Sequence, residues 1–146
     1  MRVVLQRVKS GRVYVNDEVI ANINMGVVVL LGIGPHDGDD QARYLSKKIV
    51  DMRIFEDESG KINLSLRDIK GEAIVVSQFT LYADTRKGRR PSFTEAAPPA
   101  IASPLVDGFV ELLRNEGIPT QSGEFGAHML VEIINDGPVT ICLERE

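Results

Sequence analysis

Two short segments of the chain carry polar groups where a fold usually exposes them. Residues 77–81, Ser-Gln-Phe-Thr-Leu, follow an apolar run and place two hydroxyls and an amide where a buried strand is predicted to end. Strand ends in α/β folds face open crevices, and backbone N–H groups released there can bind an oxyanion. Alternatively, the strand simply leaves the core and Ser77 and Thr80 cap a turn. The residues alone leave both interpretations open.

The second segment is 135–140, Asn-Asp-Gly-Pro-Val-Thr. Asn-Asp-Gly between two strands is typical of a hairpin turn. Pro138 removes a backbone donor where the next strand begins, and X–Pro bonds are the ones that adopt the cis form in tight turns. Gly137 has no Cβ, so another chain or a ligand can approach its backbone closely. An ordinary turn is the alternative.

Other chemistries have less support in the sequence. Residues 32–34, Gly-Ile-Gly, follow a predicted strand, but the third glycine of a dinucleotide fingerprint falls at Asp37, so we interpret this segment as a turn. His36 and His128 lack the spacing of metal ligands, and we expect neither a metal nor a cofactor. Thr80 is an alternative nucleophile, with no base apparent beside it. Cys142 lies in the middle of a predicted strand, where we expect a buried small side chain.

Length and composition indicate one ordinary domain over residues 1–146, with 43% hydrophobic residues. The longest apolar run, residues 26–33, is far shorter than the ~20 residues that span a bilayer. The single cysteine favours a reducing compartment. The net charge of −4 argues against a broad phosphate-binding surface. The one basic run, residues 86–90, is either a contact for RNA or a solvated loop.

The elements that position these segments are strand-rich. We predict strands at 2–8, 26–33 and 73–79, hairpins over 13–23 and 53–64, and two last strands at 129–135 and 139–144 joined by residues 136–138. One helix begins at a cap formed by Asp39 or Asp40, and a second begins at Ser103 and ends at Gly117. The fold class is α/β: mixed or mostly antiparallel sheets curled toward a barrel, with two main helices outside.

Together, the two polar segments resemble the signature motifs of the D-aminoacyl-tRNA deacylase family. Residues 6–8 (Gln-Arg-Val), 53–55 (Arg-Ile-Phe) and 90–93 (Arg-Pro-Ser-Phe) match that family too. The resemblance implies a cytoplasmic homodimer that hydrolyses the ester of D-aminoacyl-tRNA, and of glycine mischarged onto tRNA. L-aminoacyl-tRNA would be rejected by a cis Gly137–Pro138 unit that reaches into the other subunit's pocket.

The resemblance also implies the site residues. The catalytic pocket would be lined by Ser77, Gln78, Phe79 and Thr80. Arg7 would orient the turn at Gly137 and Pro138, and the pocket wall and adenosine-binding positions would be Ala102, Phe125 and Met129. Two other functions stay open on the residues alone. One is a non-catalytic binding or assembly module whose Gly-Pro turn locks a dimer, and the other is a small-molecule esterase or amidase that uses Thr80.

Overall fold

Six strands form one sheet that curls until its ends nearly meet. The structure, a computed structural model, describes residues 1–146. The strands are β1 (Arg2–Val15), β2 (Glu18–Ile23), β3 (Gly26–Gly32), β4 (Arg53–Glu56), β5 (Ile62–Ser65), β6 (Glu72–Ser77), β7 (Thr120–Ser122) and β8 (Leu130–Glu144). The helices are α1 (Asp39–Asp51) and α2 (Pro99–Asn115), and a 3-10 turn spans Phe79–Tyr82. Neither α-helix combines the length and apolar character that crossing a membrane requires.

The central strand is β1. Its first half pairs antiparallel with β3, its second half with β2, and its other edge with β8. The sheet continues through parallel pairs from β3 to β6 and from β6 to β7, while β4 and β5 form a separate hairpin. The Gln121 side chain on β7 accepts from the Asn22 N–H at 2.9 Å and donates to the Asn22 carbonyl at 2.7 Å, which links β7 to β2 and nearly closes the barrel. The predicted mixed, barrel-like sheet with two helices is confirmed.

Two apolar clusters explain why β3 carries no polar residue. Val27, Val29 and Leu31 belong to the larger cluster, which α1 and α2 share with the sheet. Val28 belongs to the smaller cluster, together with Ile74 and Val76 of the neighbouring strand β6. Successive side chains of a strand point to opposite faces, so a strand packed on both faces has no position for a polar group.

Several predictions about element boundaries, a helix cap and one buried residue were wrong. The second helix begins at Pro99 rather than Ser103, because a proline at the first helical position has its φ already set, and Pro104 lies inside the helix. Gly38, not Asp39 or Asp40, is the N-cap of α1, and the two aspartates occupy its first turn. The strand predicted over 73–79 ends at Ser77. Cys142 is exposed rather than buried.

The prediction of two separate strands at the end of the chain was also wrong. Residues 129–144 do not form two strands around a hairpin turn: β8 is a single strand that runs antiparallel to β1 on both sides of Gly137. A hairpin would reverse the chain, whereas here the same partner strand continues. Turn residues within a strand therefore mark an interruption of the ladder in this protein.

Candidate active site

The segment 77–80, which we call the corner, forms where β6 leaves the sheet. The Gln78 N–H donates to the Leu31 carbonyl at 2.7 Å and extends the pairing with β3 by one residue. The chain then tightens into the 3-10 turn, in which the Leu81 N–H donates to the Gln78 carbonyl at 3.2 Å. The first N–H groups of a helical turn have no acceptor within it. None of the turn, loop and cap hydrogen bonds uses the N–H of Phe79 or Thr80, so the corner presents two backbone donors.

The Gln78 and Thr80 side chains of the corner are occupied with each other, whereas the Ser77 hydroxyl makes no hydrogen bond within the chain. Gln78 Nε2 donates to Thr80 Oγ1 at 2.5 Å, and Thr80 is exposed. No His, Lys, Asp or Glu side chain hydrogen-bonds the Thr80 hydroxyl, so nothing is placed to remove its proton. The geometry offers donors for a developing oxyanion and no activated nucleophile.

Two glycines allow the 3-10 turn to lie against β3. A Cβ at Gly32 would come within 3.1 Å of the Gln78 carbonyl oxygen, and one at Gly34 within 2.8 Å of the Tyr82 hydroxyl. The Tyr82 hydroxyl donates to the Asp37 carboxylate at 3.3 Å. Burial, with the charge of Asp37, raises the pKa of Tyr82 above its ordinary value. The Gly-Ile-Gly segment thus serves close packing of the corner, in agreement with the turn predicted in place of a dinucleotide site.

An apolar cleft of about 460 Å³ opens at the corner. Its wall is built from β3, the corner, the loop before α2, the first two turns of α2 and the loop before β8. The lining residues are Leu31, Ile33, Ser77, Gln78, Phe79, Phe93, Ala96, Ala97, Pro98, Pro99, Ala102, Val106, Phe125 and Gly126. The rings of Phe79 and Phe93 meet edge to face, with centroids 5.1 Å apart. No titratable side chain lines the cleft, so its polar chemistry lies at the corner alone.

The structure brings together most of the predicted pocket residues. Ser77, Gln78 and Phe79 line the cleft with Ala102 and Phe125, and Thr80 adjoins it through its bond to Gln78. Met129 does not line the cleft. It packs against the smaller apolar cluster, and its sulfur lies 2.5 Å from where a Cβ on Gly123 would be.

Phe93 and the prolines before α2 were not predicted as site residues. Their one signal in the sequence is an aromatic residue and two prolines in an irregular stretch, which by itself does not identify a pocket.

The second polar segment forms a bulge in β8, which we call the Gly-Pro bulge (residues 136–139). Gln6 pairs with Thr140 and Val8 pairs with Asn135. An advance of two residues along β1 therefore corresponds to five residues along β8, and the extra residues of β8 bulge out of the ladder. The Gly137–Pro138 peptide bond is cis. Asn135 closes the base of the bulge: its Oδ1 accepts from the Val139 N–H at 2.8 Å, and its Nδ2 donates to Thr140 Oγ1 at 3.0 Å.

The buried side chain of Arg7, which is only 4% exposed, holds the bulge from the side of β1. Its Nε donates to the Asp136 carbonyl at 2.8 Å and its Nη1 to the Ile54 carbonyl on β4 at 2.7 Å. The carboxylates of Glu56 and Asp136 lie 4.0 and 3.9 Å from the guanidinium. A buried planar guanidinium with several acceptors holds their relative positions tightly.

Gly137 is required by the geometry of the bulge. Its φ of +132° lies in a region that L side chains rarely adopt. A Cβ there would come within 2.9 Å of Val139 Cγ2 and 3.0 Å of Arg7 Nη2.

A single chain does not unite the two parts of the predicted site. Arg7, Gly137 and Pro138 are absent from the lining of the cleft. A larger cavity of about 670 Å³ is lined by Arg2, Asp37, Tyr82 and Glu144 among others, and includes neither the corner nor the bulge. No group of three or more His, Cys, Asp or Glu residues is arranged to hold a metal ion.

Comparison with known proteins gives one consistent result. A family model described as D-Tyr-tRNA(Tyr) deacylase matches residues 4–144. The chain is 53% identical over its full length to a D-aminoacyl-tRNA deacylase of Thermosipho africanus (strain TCF52B), covering 98% of that protein. It is 58% identical over 144 residues to the enzyme of the same name from Roseiflexus sp. (strain RS-1), covering 99% of this chain and 93% of the relative.

Two solved structures share the fold. The "c-Myc DNA Unwinding Element Binding Protein" superposes with a TM-score of 0.95 at 43% identity, over 100% of this chain and 99% of the other. A "probable eukaryotic D-amino acid tRNA deacylase" superposes with a TM-score of 0.82 at 21% identity, over 97% of both chains.

Proposed function

Because the chain belongs to the D-Tyr-tRNA(Tyr) deacylase family and is a D-aminoacyl-tRNA deacylase, a hydrolase acting on ester bonds, we propose that it cleaves the ester at the corner. The bond is the one between a D-amino acid and the 3′-terminal ribose of tRNA. The observation that carries the proposal is the pair of free backbone N–H groups at Phe79 and Thr80, at the mouth of an apolar cleft. The cleft suits the flat terminal adenine, which would stack on one of the two rings, Phe79 or Phe93, that line it.

Backbone donors are sufficient for this reaction. An aminoacyl ester is already activated, so an oxyanion hole and a placed water are enough, and one such donor is worth ~10²–10³ in rate elsewhere. The N–H of Phe79 or Thr80 would bind the oxyanion that forms when water adds to the carbonyl. Thr80→Ala should then lower kcat for D-Tyr-tRNA by less than about tenfold, since a backbone N–H survives the change. Complete loss of turnover in a folded variant would instead assign the hydroxyl as nucleophile.

The substrate itself supplies one further polar group near the ester. The 2′-OH of the terminal adenosine would position or assist the attacking water, because the cleft has no titratable side chain to do so. A D-aminoacyl-tRNA that ends in 2′-deoxyadenosine should react far more slowly. Equal rates would remove the 2′-OH from the mechanism.

The enzyme would distinguish D- from L-amino acids by the direction in which the substrate side chain points, since both carry the same binding groups. If the α-ammonium and the ester carbonyl are pinned, the side chain points one way in a D-amino acid and the opposite way in an L-amino acid. A rigid wall on the L side then rejects by clash. The Gly-Pro bulge suits this role because Arg7 and Asn135 fix its main chain at both ends. Such a wall admits glycine, which has no side chain, so glycyl-tRNA would also be hydrolysed.

The wall would come from a second copy of the chain. Within one chain the bulge does not reach the cleft. The bulge lies on β8, a 15-residue strand that pairs only with β1 and leaves its outer edge unpaired. Leu130 and Ile134 on that strand are 70% and 48% exposed. An uncovered edge with exposed apolar side chains is suited to pairing with another chain, which supports a homodimer. The tRNA substrate of the family and the single free cysteine support a place in the cytoplasm.

The decisive experiment compares three charged tRNAs. The purified chain should release D-Tyr from D-Tyr-tRNA(Tyr) and glycine from glycyl-tRNA well above the uncatalysed rate, and leave L-Tyr-tRNA(Tyr) at that rate. Equal release of D- and L-tyrosine would contradict the chiral wall and favour a general esterase. Release of neither would favour a binding or assembly module.

A further inference from the structure

The basic run of the sequence forms a closed loop beside the cleft, which we call the basic loop (residues 85–91). Asp84 and Ser92 close its base with two backbone hydrogen bonds of 2.7 and 2.9 Å. Gly88, with a φ of +70°, forms its bend and has open space around it. Every residue from 85 to 91 is exposed.

Not all four cations of the basic loop are free. Arg86 Nε and Nη2 each donate to the Asp84 carboxylate at 2.8 Å, and the Arg86 N–H donates to the same carboxylate at 3.0 Å. Hydrogen bonds from Arg86 lower the pKa of Asp84 to about 2, so this pair stays ionised at neutral pH. Arg86 therefore braces the base of the loop.

The other three cations have no protein partner. Lys87, Arg89 and Arg90 form none of the salt bridges or side-chain hydrogen bonds of the chain. By contrast, Arg2, Arg12, Arg67 and Arg114 each lie within 4 Å of a carboxylate. Arg43, Lys47 and Lys48 on α1 are also unpaired, but α1 does not line the cleft, whereas the basic loop leads directly to Phe93 in the cleft wall. A group of unpaired cations is suited to a polyanion, since it binds phosphate without first breaking an internal ion pair.

The basic loop is connected directly to the cleft. Phe93, which packs edge to face on Phe79 and lines the cleft, lies one residue beyond Ser92 at the loop's base. A nucleic-acid strand whose 3′-terminal base lies in the cleft against these rings would pass next to the loop. We propose that Lys87, Arg89 and Arg90 bind backbone phosphates of the tRNA acceptor end, while Arg86 only shapes the loop. This assignment rests on the proposed function for the identity of the RNA.

Direct binding tests the assignment without relying on catalysis. The probe is a fluorescent RNA hairpin with the sequence of an acceptor stem and a 3′ CCA end, and anisotropy gives its Kd at several KCl concentrations. The test variant is Lys87→Gln with Arg89→Gln and Arg90→Gln. The control removes the same charge from α1, which does not line the cleft, by Arg43→Gln, Lys47→Gln and Lys48→Gln.

The test variant should bind the hairpin about 10- to 100-fold more weakly than wild type, and the slope of log Kd against log salt should fall by about 2. The control should match wild type within about twofold. An unchanged Kd and slope in the test variant, or an equal loss in the control, would overturn the assignment. Tighter binding of wild type to a DNA duplex of equal length would also overturn it, in favour of DNA.

Hydrolysis then separates this inference from the proposed function. The ratio of kcat/KM for D-Tyr-tRNA to kcat/KM for the 3′-D-tyrosyl ester of adenosine should fall by at least about tenfold in the test variant, because the short ester has no acceptor phosphates. A fall of equal size for both substrates would mean that the loop supports the corner, and would overturn phosphate binding. If wild type hydrolysed neither substrate but the hairpin-binding results were as expected, the proposed function would be contradicted and phosphate binding by the loop would stand.

Discussion

Single residues in this protein act mainly by fixing main chain. Arg7 uses two side-chain nitrogens to hold carbonyl groups of two different strands, and Gly137 provides a backbone conformation that other residues avoid. At the corner, the free polar groups are the backbone N–H groups of Phe79 and Thr80 and the Ser77 hydroxyl, and no basic side chain contacts them. Substitutions that preserve charge or volume should therefore still be harmful when they alter backbone placement.

Replacing Arg7 by lysine tests this directly. The charge is kept, but an ammonium cannot reproduce the planar fork that reaches both carbonyls. We expect kcat/KM for D-Tyr-tRNA to fall roughly 10- to 100-fold as the bulge shifts, and the free energy of unfolding in urea to fall by about 1–3 kcal/mol. Arg12→Lys on the same strand is the control, since Arg12 makes an exposed ion pair with Glu132 at 3.8 Å. Wild-type kcat/KM in Arg7→Lys would remove Arg7 from the positioning role.

Gly137→Ala adds one methyl group to the bulge. The methyl would lie within 3.0 Å of Arg7 Nη2, at a φ that alanine rarely adopts. We expect the hydrolysis of D-Tyr-tRNA to fall at least about tenfold, with a loss of about 1–3 kcal/mol in stability from backbone strain. Gly108→Ala on α2 is the matched control, because that Cβ meets open space in a helix. If the change in hydrolysis rate were explained by the change in unfolding free energy in both Gly137→Ala and Gly108→Ala, Gly137 would have only a structural role.

Among the elements, the 3-10 turn depends on its packing against β3. Tyr82 ends the turn and fills the space that Gly32 and Gly34 leave open. Arg2 covers the ring, with its guanidinium carbon 4.4 Å from the ring centre. The corner is thus positioned by a ring packed outside the cleft.

Two variants separate the ring of Tyr82 from its hydroxyl. Tyr82→Phe loses one hydrogen bond and should lower stability by about 1 kcal/mol with little change in kcat/KM. Tyr82→Ala leaves a cavity, and should lower stability by about 3–5 kcal/mol and reduce kcat as the corner loosens. Urea unfolding and initial rates at saturating D-Tyr-tRNA measure both. If Tyr82→Ala kept wild-type kcat while remaining folded, packing of the turn would not position the reacting groups.

At the level of the whole molecule, the corner and the bulge lie apart in one chain, and the proposed function needs them together. Mixing two weakened variants tests whether two copies share a site. A Phe79→Ala chain lacks an aromatic ring of the cleft on which the terminal base would stack, which is worth about 1–3 kcal/mol. A Gly137→Ala chain has a defective bulge, and we expect each variant alone to keep at most about a tenth of the wild-type rate. After subunit exchange, half of the dimers should be mixed, and each mixed dimer should hold one intact site.

The mixture should recover about a quarter of the wild-type rate per chain. Each variant mixed with itself is the control and should keep its own low rate. A mixture that stays at that low rate although exchange is shown by mass spectrometry would place the bulge and corner of one site in the same chain.

The sequence by itself determined much of this protein. The continuous apolar runs of β3 and β6, the apolar face of α1 (Ala42, Leu45 and Ile49) and the β4–β5 hairpin are local patterns of burial, and side-chain periodicity follows directly from such burial. The two polar segments were also identifiable, because their residue types suit turns and strand ends. Their chemistry by itself indicates a site.

Only the tertiary structure decided how these segments are used. Asn-Asp-Gly-Pro is a hairpin signal locally, yet β1 continues to pair on both sides of it and makes it a bulge. Gly32 and Gly34 have meaning only with Tyr82 against them, and Phe93 joins the cleft only because a distant turn brings Phe79 to it. Such outcomes depend on contacts between residues far apart in the chain, and the energies of those contacts override local preference without leaving a pattern in the local sequence.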